Sequence, residues 1–69
     1  MEMIPVTSSN IAAIGYNDLS AILTVEFLNG SIYEYYDVPI EIFEDFLAAG
    51  SKGQYFNQNI VKVYSYSKI

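Results

Sequence analysis

From Ala21 to Phe27 the chain alternates. Ala21, Leu23, Val25 and Phe27 fall on one face of an extended strand; Ile22, Thr24 and Glu26 fall on the other. Asn29-Gly30 follows, a strong hairpin signal, and Ile32-Tyr33-Glu34-Tyr35-Tyr36 supplies the returning arm. Loop length decides which side chains meet, because a slip of one residue turns every one of them to the opposite face. A two-residue loop sets Val25 opposite Glu34 and Leu23 opposite Tyr36, with a carboxylate on the core face. A three-residue loop, Leu28-Asn29-Gly30, sets Val25 opposite Tyr33, Leu23 opposite Tyr35 and Thr24 opposite Glu34. It requires Gly30 in a left-handed bulge, which glycine adopts without steric cost. An unpaired buried glutamate is expensive, so the three-residue loop is preferred. Tyr33 and Tyr35 then point inward, and Tyr36 points outward.

The flanking segments complete an α+β pattern. Met3 to Val6 reads as a short strand confined to an edge by Pro5. Ile11 to Tyr16 is a second apolar run, and Tyr16-Asn17-Asp18 opens a turn. Val38-Pro39 starts a helix over about 39–49, with Pro39 at its first position. Ile42, Phe43, Phe46 and Leu47 form its apolar stripe, while Glu41, Glu44 and Asp45 lie away from it. Gly50 is placed at the C-cap. Ser51-Lys52-Gly53-Gln54 has the form of a capping box, opening a short second helix over about 52–58. Ile60 to Tyr66 alternates again and reads as a final strand, with Val61 and Val63 on one face and Lys62, Tyr64 and Tyr66 on the other. The expected architecture is one domain over 1–69: a small antiparallel sheet of about four to five strands with two helices.

Composition narrows the chemistry. A chain of 69 residues buries only about 60% of its unfolded surface, so its stability is thin. With no Cys and no His, neither a disulfide nor a Cys- or His-ligated metal is expected to add to it. Seven Tyr and four Phe point to an aromatic core, with self-association as the other resource, so a homo-oligomer is expected. The absence of His and Cys also removes the serine-histidine, cysteine-histidine and thiolate routes to catalysis. Glu41, Glu44 and Asp45 read as a solvated helix face rather than an acid–base pair. The expectation is no enzyme, no cofactor and no metal. No apolar run approaches the roughly 18 residues of a membrane span, and the start lacks a basic, then apolar, leader pattern, so a cytoplasmic location is expected.

Charge bears on partners. Three Lys, no Arg and eight carboxylates give −5, which offers little to a phosphate backbone. Nucleic acid is thereby disfavoured, although Lys62 and Lys68 lie close together in sequence. A basic protein surface suits the chain better. Candidate binding residues are Ser51, Gly53 and Asn57 at the turn into the second helix, where backbone amides could hold an anion, and Lys62, Tyr64 and Tyr66 near the C-terminus, where tyrosines could stack a base or anchor a partner. The plainer reading of the first set is a helix-to-helix turn, and of the second a cover for a small sheet.

Ser8-Ser9, Ile11, Ile14-Gly15-Tyr16 and Leu23-Thr24-Val25-Glu26-Phe27, followed by Gly30, Tyr33-Glu34-Tyr35, Val38-Pro39, Ser51, Gly53, Phe56-Asn57, Ile60 and Tyr64, together resemble the KTSC domain. That short domain is named after its occurrence at the C-terminus of some lysyl-tRNA synthetases, and it also occurs as a stand-alone protein in bacteria and phages. Gly30, Tyr33, Tyr35 and Pro39 carry the most specific part of the likeness and are read as its structural signature. The resemblance implies RNA binding through the synthetase context. This chain departs from the pattern at Val61, where similar chains often carry a basic residue. The function expected first is a non-enzymatic protein-interaction module, an adaptor or inhibitor, with a phage protein acting on a host system as one form of it. RNA or nucleotide binding through Lys62, Tyr64, Tyr66 and Lys68 is the alternative, and a small-molecule or anion site at Ser51–Asn57 the second alternative.

Overall fold

A computed structural model describes residues 3–69. Five strands form one antiparallel sheet in sequential order: β1 (Met3–Pro5), β2 (Ile11–Asn17), β3 (Ile22–Phe27), β4 (Ile32–Tyr35) and β5 (Tyr66–Lys68). Helices α1 (Ile40–Ala48) and α2 (Lys52–Asn59) lie between β4 and β5 in the chain. Ile14, Leu23, Val25 and Tyr35 on one face of the sheet enclose a single core with Val38, Phe46, Phe56 and Ile60. Strands that pair in sequential antiparallel order need no crossover, and the one long return, from β4 to β5, carries both helices.

The β3–β4 hairpin has the three-residue loop. Leu23 faces Tyr35, Thr24 faces Glu34 and Val25 faces Tyr33. Phe27 N donates to Ser31 O at 2.8 Å and Gly30 N to Phe27 O at 2.9 Å, and Gly30 sits at φ +91°. An L side chain is strained there, so Gly30→Ala is expected to cost about 1–2 kcal/mol.

Several local readings are corrected. The third strand begins at Ile22, because Ala21 has φ +57° and belongs to the turn before it. Its carbonyl receives Val38 N at 3.0 Å, which anchors the approach to α1. Pro39 is the N-cap of α1, with an extended ψ of 149°, and the first helical residue is Ile40. The Pro39 carbonyl accepts from Ile42 N at 3.0 Å, and its missing N–H is still no loss at a helix start. Gly50 is not a left-handed cap: α1 ends at Ala49, which turns extended, and Lys52 Nζ closes on the Ala49 carbonyl at 2.6 Å. A Cβ at Gly50 would meet open space, and its φ is not positive. Gly50→Ala is therefore expected to stabilise by about 0.5 kcal/mol, opposite in sign to Gly30→Ala, as urea denaturation would show.

The largest correction concerns residues 60–66. Only Tyr66–Lys68 forms a strand. Ile60 N and Val61 N both donate to Phe56 O, and Tyr64 N donates to Ile60 O, so residues 60–64 are a coiled turn continuing from α2. Ile60, Val61 and Tyr64 turn toward the core and Val63 is exposed. Inward positions at i, i+1 and i+4 are helical spacing. In so short a window, Val61-Lys62-Val63-Tyr64 imitates alternation.

On the face of the sheet away from the helices, Thr24 is only 7% exposed and its Oγ1 has no partner. Thr24→Val removes that unsatisfied hydroxyl at nearly constant shape and is expected to raise stability by about 1 kcal/mol in a thermal or urea melt.

Candidate functional site

Two concave regions are bordered by four of the six candidate binding residues, Ser51, Gly53, Asn57 and Tyr66. The first is polar, about 410 Å³, and lies between the Ser8-Ser9-Asn10 segment and the start of α2. Ser51 caps that helix, its Oγ accepting from Gln54 N at 3.3 Å. Ser8 Oγ accepts from Asn10 N and Ile11 N, folding the opposite wall onto itself. A Cβ on Gly53 would stand 3.2 Å from Asn10 Oδ1, so glycine here permits the two walls to approach. The Lys52 ammonium is held by the Ala49 carbonyl. Three polar side chains of this region, Ser8, Ser51 and Lys52, are therefore engaged by its own backbone.

The second region is aromatic. Phe27 of β3, Tyr33 and Tyr35 of β4, Tyr66 of β5 and Phe56 of α2 border an open cavity of about 400 Å³. Their rings form a closed circuit. Phe27 meets Tyr33 at 5.6 Å, Tyr33 meets Tyr66 at 5.8 Å, and Tyr66 meets Tyr35 at 5.6 Å. Tyr35 meets Phe56 at 5.5 Å, and Phe56 returns to Phe27 at 5.5 Å. The edge-to-face pairs Phe27–Tyr33 and Tyr35–Phe56 are attractive beyond their buried area. Sheet geometry sets this arrangement. Tyr66 pairs directly with Tyr35, so their side chains must share a face, and Tyr33 lies two residues along the same face. Asn29, Ser31 and Asn57 add amide and hydroxyl groups at the rim.

The electrostatics of this cavity are neutral. Desolvation by burial, followed by the neighbouring Tyr33 and Tyr66, pushes the Tyr35 hydroxyl up to about 12. It remains a neutral donor at ordinary pH. No carboxylate, lysine, histidine or cysteine lines the space, so it can stack and hydrogen-bond a guest but has no group suited to moving a proton near neutrality. Among the described residues no cluster of His, Cys, Asp and Glu could hold a metal ion.

The structure therefore redistributes the sequence candidates. Ser51 and Gly53 border the polar region, Asn57 borders both regions, and Tyr66 borders the aromatic cavity. Lys62 and Tyr64 border neither: Lys62 is exposed on the turn, and half-buried Tyr64 packs on the core. Tyr33 and Tyr35, expected to be structural, form part of the cavity wall as well. Phe27 and Phe56 had not been singled out. Phe27 carried a signal, being inward-facing and last before the hairpin loop, where a core side chain reaches the rim. Pro39 stands at the helix entrance, away from both regions.

Comparison with known proteins gives a consistent likeness. The KTSC domain family model matches residues 7–66. A protein of Tsukamurella paurometabola is 50% identical over 60 residues, covering 87% of this chain and 88% of that one. A lysine–tRNA ligase of a Nostoc species is 43% identical over 61 residues, and there the match spans 88% of this chain but 11% of the ligase. The crystal structure of a KTSC domain protein from Yersinia pestis superposes with a TM-score of 0.93 at 35% identity, covering 99% of this chain and 96% of that one. No helix among the described residues is long and apolar enough to cross a membrane.

Proposed function

The chain belongs to the KTSC domain family, and from there we propose that it is a small non-enzymatic binding module, an adaptor or inhibitor that holds a protein partner at the aromatic-walled cavity. The closed circuit of five rings around an open space supports this reading. Well-packed aromatic pockets that receive one side chain of a partner are where binding energy concentrates. The cavity volume suits one large apolar or aromatic side chain. The net charge of −5 steers the chain toward a basic surface and away from acidic ones.

Tyr66 provides the test. It is 56% exposed, so Tyr66→Ala leaves the core intact while opening the cavity wall. A partner captured from the native host, identified and re-measured in purified form, is expected to bind Tyr66→Ala at least about tenfold more weakly by calorimetry. Glu26→Gln, on the opposite sheet face, should bind as the native chain does. A partner bound equally by native and Tyr66→Ala proteins would place its site elsewhere.

One observation favours base stacking as a second reading: Lys68 is paired with Tyr33 and shares its face of the sheet. That reading requires single-stranded RNA to bind at about 150 mM salt with affinity falling steeply as salt rises. The protein-partner reading requires no RNA affinity there.

A further inference from the structure

The sheet ends differently at its two edges. On β1, Pro5 has no N–H to offer, which blunts that edge. On β5, neither a proline nor a bulge interrupts the strand. Tyr36 N donates to Ser65 O and Ile69 N donates to Ile32 O, both at 2.9 Å, on either side of the Glu34–Ser67 pair. Bonded and non-bonded pairs alternate along an antiparallel ladder. Ser65, Ser67 and Ile69 therefore direct their backbone groups toward β4. Tyr66 and Lys68 direct theirs away from it, to the side where no described strand lies. Their side chains share the cavity face, opposite Tyr35 and Tyr33.

We propose that β5 pairs with β5 of a second copy, antiparallel, about a two-fold axis normal to the sheet at Ser67. The register follows from which groups face outward. Tyr66 must stand opposite the partner's Lys68, and Lys68 opposite the partner's Tyr66, so that each of these pairs exchanges both backbone hydrogen bonds. The edge is self-complementary in this register, as a two-fold contact must be. Lysine does not face lysine. Each Lys68 ammonium instead stands beside a tyrosine ring, an attractive cation–π placement. The two sheets become one, both cavities open on the same side of it, and the partner's Lys68 joins the outer side of the Tyr66 wall. Association through so short an edge is weak, below the strength of standard interfaces. Because each copy carries −5, added salt strengthens it.

Residue-resolved amide exchange tests this on the native chain. Between about 50 µM and about 1 mM, exchange at Tyr66 and Lys68 is expected to slow by at least about threefold, while Ser67 and Ile69 are protected at both concentrations. Raising salt at the higher concentration should slow Tyr66 and Lys68 further. Lys68→Pro removes an outward N–H and leaves the bonds to β4 in place. In sedimentation it should remain a monomer where the native chain shifts toward dimer. The proposal is overturned if exchange at Tyr66 and Lys68 is the same at both concentrations, or if folded Lys68→Pro associates as the native chain does. Should Lys68→Pro fail to fold, the exchange comparison on the native chain decides alone.

Discussion

Phe46→Ala is expected to leave little of the chain folded at 25 °C. Phe46 has no exposed surface and lies between Tyr55, stacked at 5.6 Å, and Phe56, stacked at 6.1 Å. Truncating a buried phenylalanine costs about 3–5 kcal/mol, from lost burial together with the cavity left behind. A domain of 69 residues has about 3–10 kcal/mol in total. The cost is thus a large fraction of the whole stability. It also spreads, because Phe56 is braced by Phe46 on one side and holds the cavity rings of Phe27 and Tyr35 on the other. Denaturation followed by circular dichroism should show a midpoint close to zero denaturant. A loss below about 1.5 kcal/mol would mean that α1 is not the support of this core.

The second large effect is alkaline. Tyr35 is 4% exposed, and burial, reinforced by Tyr33 and Tyr66, raises its hydroxyl from 10.0 to about 12. The unfolded chain releases this proton near 10 and the folded chain resists until about 12. Below pH 10 both states hold the proton, and the native fold has its full stability. Between pH 10 and 12 only the unfolded state gains by ionising, so stability falls as pH rises through this window. The loss attributable to Tyr35 is about 2–3 kcal/mol at its upper end. Tyr16 and Tyr55 are raised too, each mainly by burial, and act in the same direction. Urea midpoints at pH 9 and near pH 12, compared with those of Tyr35→Phe, isolate this contribution. An equal fall in the variant would assign the alkaline loss to other groups. Tyrosinate absorbance should show one fewer late-titrating group in the variant than in the native chain.

Short-range chemistry was legible in the chain. Asn29-Gly30 and the cost of burying Glu34 together selected the hairpin register, since both act between adjacent residues or directly opposed ones. The stripe of Ile42, Phe43, Phe46 and Leu47 marked α1, and Ser51 marked the cap of α2. The same local reasoning overreached at Gly50. Glycine permits a left-handed cap but does not impose one, and the extended Ala49 with the Lys52 ammonium ends the helix instead. It also misread Ile60–Tyr64, where five residues fit either periodicity.

By itself, then, the sequence determined the α+β class, the hairpin register, both helices and the absence of His and Cys chemistry, because each depends on residue type or on neighbours within a few positions. Tertiary structure decided the rest. A bulge between Ile11 and Ala13 lets Ile11 and Ile14 both face the core, which strict alternation forbids. The circuit of Phe27, Tyr33, Tyr35, Phe56 and Tyr66 joins residues from three strands and a helix, and no local pattern encodes which rings will meet. That outcome depends on how β5 returns alongside β4, and long-range pairing of this kind is settled only when the whole core closes.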